Sequence, residues 1–231
     1  MSGLKIGLLV SSSSALVALS CLAHRFLYFP IDLRVSLWVQ KFDGLLLPTM
    51  HAVSLISSII PATLIVVSLV IWLGKSNRRL EAILTGSSNA ISSLVITPAI
   101  KLLVDRPRPT ADLIQVMTTN GGESFPSGHT AYAVVCYGFL CYLLPSLNSN
   151  KVVVKTLQAL LAILIGLTFI SRIYLGAHWF SDALGGFFLG GLVLTGIVII
   201  YCHYLPRFSK RGQNARASRS RDDKERAYAP Y

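Results

Sequence analysis

Six stretches of this chain run without a single Asp, Glu, Lys or Arg: Ile6–His24, Gly44–Gly74, Ala82–Ile100, Thr130–Asn150, Thr156–Ser171 and Ala183–Pro206. Crossing a bilayer takes about 20 apolar residues as a helix and about 9–11 as a tilted strand. Each run is too long for one strand, and a helix satisfies its own backbone donors and acceptors in lipid. The fifth run is short, but Lys151 and Lys155 can extend their ammonium groups to the interface, so that helix starts near Val152. The pattern predicts an all-α fold, a bundle of six transmembrane helices over residues 1–206, followed by a basic, disordered tail over 207–231. Composition agrees: 13% of the residues are charged, where a soluble domain carries about 25%. Lys5 before an apolar run resembles a signal peptide, but Ala18-Leu19-Ser20-Cys21 is a poor cleavage signal, so an uncleaved first helix is expected.

The formal net charge of +11 does not point to nucleic acid, because the basic residues form no continuous face. Seven of the 21 Lys and Arg fall in Arg207–Lys224, and most of the others stand at the ends of apolar runs. With the tail in the cytoplasm, 14 Lys and Arg lie inside and 7 outside, the sense required by the positive-inside rule. The segment Ile31–Leu47 mixes apolar and charged residues and reads as a short interfacial helix on the outer surface. Cys21, Cys136, Cys141 and Cys202 all sit in apolar runs without metal-ligand spacing, and read as small buried apolar residues.

Three polar clusters interrupt the apolar pattern, all on the side opposite the tail. In the first, Lys101 ends the third run, and Arg106 and Arg108 each precede a proline that biases them toward extended backbone. Headgroup anchoring accounts for one lysine there, but poorly for two stiffened Arg-Pro pairs. The second is Phe125-Pro126-Ser127-Gly128-His129, opening the fourth span. Ser127 suits a helix N-cap, Gly128 lets an anion approach the backbone, and the helix N-terminus favours negative charge. The third is Ser171-Arg172, followed by Gly176, His178 and Asp182. His178 and Asp182 are four apart, so a helical start to span six stacks them on one face. An aspartate accepting from one ring nitrogen fixes the tautomer and makes the other nitrogen a better nucleophile. Trp179 and Phe180 fit the interfacial aromatic belt better than a binding site.

Lys101, Arg108 and Arg172 supply cations, Ser127 and Gly128 supply donors, and His129 and His178 can act as acid, base or nucleophile. Donors and cations around one point are what a phosphoryl group with developing charge requires. There is no carboxylate cluster for magnesium, and two histidines are too few for a zinc site, so metal-free phosphoryl transfer without a cofactor is expected. The residues alone leave open which histidine attacks.

The three clusters resemble the signature of the type 2 phosphatidic acid phosphatase superfamily: Lys, six residues, Arg-Pro; then Pro-Ser-Gly-His; then Ser-Arg, five residues, His, three residues, Asp. Here these are Lys101 with Arg108-Pro109, Pro126-Ser127-Gly128-His129, and Ser171-Arg172 with His178 and Asp182, and every position is matched. The resemblance covers Ala82–Tyr204. It implies a six-helix fold, His178 as nucleophile oriented by Asp182, and His129 as proton donor to the leaving oxygen and then as base toward water. Lys101, Arg108, Ser127, Gly128 and Arg172 would hold the phosphoryl oxygens.

The implied substrate is a membrane lipid phosphate or diphosphate: phosphatidic acid, phosphatidylglycerol phosphate or undecaprenyl diphosphate. No protein partner is implied. A phosphotransferase of the same fold is the alternative, and a non-enzymatic transporter or scaffold the third reading. Transporters place ionisable residues near the midplane, whereas these stand at helix ends. The chain has no Asn-X-Ser/Thr sequon, which fits a bacterial plasma membrane with the site on the extracytoplasmic face. Four small residues in span six, Gly185, Gly186, Gly190 and Gly191, suit close helix packing.

Overall fold

The computed structural model describes residues 3–42, 44, 46–118 and 121–227, with side chains at positions 4 and 5 and from 205 onward outside the described set. All regular structure among the described residues is helical: α1 (Gly3–Arg25), α2 (Pro30–Gln40), α3 (Leu47–Ile56), α4 (Ile59–Lys75), α5 (Arg79–Ile91), α6 (Thr97–Val104), α7 (Gly128–Leu147), α8 (Lys151–Tyr174) and α9 (Phe180–Ala227). One π-helical turn, Ser92–Ile96, joins α5 to α6 without a break, so the third expected span is a single 26-residue helix, Arg79–Val104.

Among the described residues, five helices are each long and apolar enough to cross a membrane, or six spans with the bent pair α3 and α4 counted as one. That second span departs from the continuous run expected over Gly44–Gly74. It bends by 54° between Ile56 and Ile59. Ser58 takes an extended conformation there as the N-cap of α4. The apolar run hides the bend because two serines within it do not lower the hydropathy enough to show it. The interfacial segment is also a helix, α2, but it presents Asp32, Ser36, Val39 and Gln40 to the protein instead of lying loosely on a surface. The expected disordered tail falls on a backbone that α9 continues as helix to Ala227. Its side chains, and residues 228–231, lie outside the described set.

The helix α7 is the centre of the bundle, flanked by α8 and α9, while α1 lies against α9 and α4 against α5. Large apolar side chains face outward on the spans, among them Leu94, Leu102 and Leu103, each more than 70% exposed. In water such surface is costly; in lipid it is the required exterior. The four cysteines form no disulfide. Only Cys136 is buried, whereas Cys21 and Cys202 are exposed on the bundle's outer surface, correcting the expectation that all four are interior.

Close approach of α9 to α7 and to the segment leading into it depends on three of the four small residues. A Cβ on Gly186 would lie 2.3 Å from the Ser127 carbonyl oxygen, one on Gly185 2.4 Å from the Phe125 ring, and one on Gly190 2.6 Å from Val134. Gly191 is different, with only Ser12 Oγ at 3.8 Å. Gly186→Val is therefore expected to push Ser127 away from α9 and to destabilise the bundle by about 1–3 kcal/mol, with a matching loss of activity. Gly191→Ala should leave both nearly unchanged. Melting in detergent alongside activity checks the pair, and equal behaviour of the two variants would contradict this packing.

Candidate active site

Consecutive spans alternate in direction, so the C-terminal ends of α6 and α8 and the N-terminal ends of α7 and α9 meet on one side of the bundle. The described residues of the stretch 105–127 and the short turn 175–179 lie at that side. Two tethers fix them. Gln40 of α2 donates to the carbonyls of Gln115 (2.7 Å) and Tyr174 (3.0 Å) and accepts from Gln115 N–H (3.1 Å). Gly176 adopts a φ of +64°, and a Cβ there would meet the Gln115 carbonyl oxygen at 2.2 Å. The tight turn at Gly176 is thus also the seat of the loop.

This framework gathers the polar clusters. Lys101 donates to the Glu123 carbonyl. Arg108 donates to the carbonyls of Gly122 (2.9 Å), Glu123 (3.2 Å) and Ala177 (2.8 Å), and its Nη1 stands 3.3 Å from His178 Nε2. The backbone N–H groups of Ala177 and His178 donate to the Arg172 carbonyl at 3.0 and 3.1 Å. The Arg172 side chain is buried; one arm donates to Ser54 Oγ of α3, while Nε and Nη2 have no hydrogen-bond partner. A buried guanidinium with two unmatched donors, beside a second arginine, is built for an anion. His129, half-buried at the second position of α7, lies within electrostatic range of Arg172, His178, Arg108 and Lys101.

Ser127 stands at the N-cap position of α7, as expected, but its side chain does not cap. Its Oγ accepts instead from Thr130 Oγ1 at 3.2 Å, which leaves the first N–H groups of α7 uncapped by it. Helix ends of this kind attract phosphate.

The His178–Asp182 pair differs from the direct contact expected. Because α9 begins at Phe180, His178 lies in the preceding turn, and its Nδ1 is 3.9 Å from Asp182 Oδ2. Ser124, which sequence reasoning did not single out, fills the gap: its Oγ donates to Asp182 Oδ2 at 2.5 Å and lies 3.3 Å from His178 Nδ1. An arginine has no acceptor, so Nε2 facing Arg108 carries the lone pair; the serine hydrogen is given to the carboxylate, so Ser124 accepts from Nδ1–H. The tautomer follows from these two neighbours. Burial lowers the His178 pKa to about 3, the positive charges of Arg108 and Arg172 acting in the same direction against the opposing influence of Asp182. The ring is neutral at neutral pH, with the Nε2 lone pair directed at Arg108.

Two further readings are corrected. Arg106 does not face the anion site with Lys101 and Arg108. It is buried between Asp182 and Asp32, because an arginine in this depth requires carboxylate partners. Trp179 is buried against Tyr28 and not part of a lipid-facing belt; its backbone N–H donates to Asp182 Oδ2 at 2.9 Å.

The fold and the site together define a multi-pass helical membrane protein with a buried histidine beside Arg108, within electrostatic range of Arg172, at one end of the bundle. The sequence profile of the PAP2 superfamily matches residues 82–205, so the chain belongs to that family. It is 34% identical over 122 residues to phosphatidylglycerophosphatase B of Bacillus subtilis (strain 168), covering 51% of this chain and 56% of that protein. It is 33% identical over 104 residues to lipid phosphate phosphatase delta of Arabidopsis thaliana, covering 41% of this chain and 25% of that one. The matched part thus spans little more than half of one relative and a quarter of the other. The crystal structure of a transmembrane PAP2 type phosphatidylglycerolphosphate phosphatase from Bacillus subtilis superimposes with a TM-score of 0.70 at 22% identity, over 83% of this chain and 94% of that one. That likeness establishes the fold.

Proposed function

We propose that this protein hydrolyses the terminal phosphate of a membrane lipid, with phosphatidylglycerol phosphate, phosphatidic acid and undecaprenyl diphosphate as the candidate substrates. The names of the bacterial relatives favour the first. The observation that carries the reading is the neutral His178 Nε2 lone pair facing Arg108, together with the unmatched donors of buried Arg172, which lies within electrostatic range of the ring.

In this reading Lys101, Arg108, Arg172, Ser127 and the Gly128 backbone hold the phosphoryl oxygens. His178 Nε2 attacks phosphorus and the bond to the lipid oxygen breaks, while His129 gives that oxygen a proton. Water then loses a proton to His129 and attacks phosphorus, the P–N bond breaks, and phosphate leaves with His178 restored. Charge neutralisation comes from guanidinium and ammonium groups, and both oxygens of Asp182, the carboxylate behind His178, are engaged by Arg106, Ser124 and Trp179 N–H, so the donor set suits metal-free chemistry. A headgroup at the bundle's end with its chains between helices suits a lipid. The charge distribution supports a plasma membrane orientation with the site outside and the tail in the cytoplasm.

The test is phosphate release by detergent-purified protein from the three lipids side by side, with EDTA present. Release from at least one of them in EDTA is expected. Loss of release that magnesium restores would overturn the metal-free mechanism. Release that appears only when an acceptor alcohol is added would move the assignment to a phosphotransferase.

A further inference from the structure

Asp32 belongs to α2, outside the region that matches the PAP2 superfamily, yet it is fully buried against the catalytic end of α9. Its Oδ2 accepts from Arg106 Nη2 (2.9 Å), Ser181 Oγ (2.8 Å) and Phe29 N–H (2.9 Å), and its Oδ1 from Ser181 N–H (2.8 Å). Arg106 spans from there to Asp182 Oδ1 at 2.6 Å, with its Nη1 also donating to Ser181 Oγ at 2.7 Å. Its Nε donates to the Leu27 carbonyl at 3.1 Å, and the guanidinium lies over the Phe29 ring at 4.9 Å. Every polar group of this cluster is matched, so its geometry is stiff.

We propose that Asp32 and Arg106 are positioning residues for the reaction, forming with Asp182 and Ser124 a buried relay that sets the orientation and tautomer of His178. The inference rests on the phosphatase reading for its kinetic consequence, though not for its structural one. The charge count gives the reason. Arg106 alone would cancel Asp182. Shared between two carboxylates, it leaves the triad with one net negative charge on the Nδ1 side of His178, while Arg108 stands on the Nε2 side and Arg172 is within electrostatic range of the ring. The ring thus lies between opposite charges, an arrangement that favours Nδ1–H and a free Nε2 lone pair and that stabilises the imidazolium formed when Nε2 becomes bonded to phosphorus. Arg106 further fixes one oxygen of Asp182 so that the other is presented to Ser124.

Asp32→Asn removes one charge but leaves Arg106 paired with Asp182, and Arg106→Lys keeps the charge but loses the fork that spans both acids. Each is compared with the parent for kcat and KM on micellar phosphatidic acid or whichever lipid the parent hydrolyses, for melting in the same detergent, and for the His178 nitrogen-15 shifts that report the tautomer. The expected result is a kcat lower by roughly tenfold for Asp32→Asn and roughly a hundredfold for Arg106→Lys, with KM within about twofold and a His178 signal that shifts from one tautomer to a mixture. Folded variants with the parent's kcat and the parent's His178 shifts would overturn the proposal. So would losses that follow the folded fraction alone with unchanged shifts, which would make the triad a structural latch between α2 and α9. A parent inactive on every lipid would remove the phosphatase reading, and the His178 shifts would still decide the relay.

Discussion

Replacing His178 by alanine is expected to lower phosphate release by on the order of 10⁴ or more, as loss of a nucleophile does in other covalent mechanisms, while the protein stays folded. The ring makes two polar contacts, to Ser124 Oγ and to Arg108 Nη1, both at 3.3 Å. Neither partner depends on it: Ser124 retains Asp182, and Arg108 retains four backbone carbonyls. The His178 N–H keeps its bond to the Arg172 carbonyl whatever the side chain. Melting in detergent close to the parent's, together with absent turnover, is the expected pair of results. Turnover within tenfold of the parent's would exclude His178 as the nucleophile and leave His129 as the remaining candidate.

Asp182→Asn should be nearly as damaging to turnover, by on the order of 10³–10⁴, but unlike the first variant it should also cost stability. One carboxylate oxygen accepts from Arg106 and the other from Ser124 and from Trp179 N–H. An amide has one acceptor, so either orientation turns an NH₂ group toward a donor. A buried donor left unmatched costs about 1–3 kcal/mol, and Arg106 keeps Asp32, which limits the damage to that range. The melting midpoint should fall while the chain still folds. A variant with parent-like turnover would show that the Ser124 relay is not used. In the proposed reading the two substitutions would therefore separate a chemical role from one that is chemical and architectural at once.

That separation follows where the sequence was and was not legible. Lys101, Arg108, Arg172, His129, His178 and Asp182 stand out because each interrupts an apolar run near its end, where an ionisable group in a membrane helix is costly unless it has a task. The span count followed from the same contrast. The bend between α3 and α4 did not, since Ser57 and Ser58 interrupt the run too weakly to register. Ser54, which meets Arg172, was hidden for the same reason. Ser124 lies in a polar loop, where a serine is ordinary. Asp32 sits in a segment whose mixed character suggested only a surface helix, and Arg106 looked equivalent to Arg108 because both precede a proline.

What the sequence determined by itself was the solvent of this protein and the ingredients of its candidate site: helices, because lipid leaves no other partner for the backbone, and histidines with cations, whose cost at span ends argues for a task. What the tertiary structure alone decided was which charge faces which. Two arginines two residues apart point to opposite fates, Arg108 toward His178 and Arg106 into the Asp32–Asp182 pair. The cause is that α2, distant in sequence, places a buried carboxylate beside one of them, and a buried charge goes to the opposite charge that packing brings within reach.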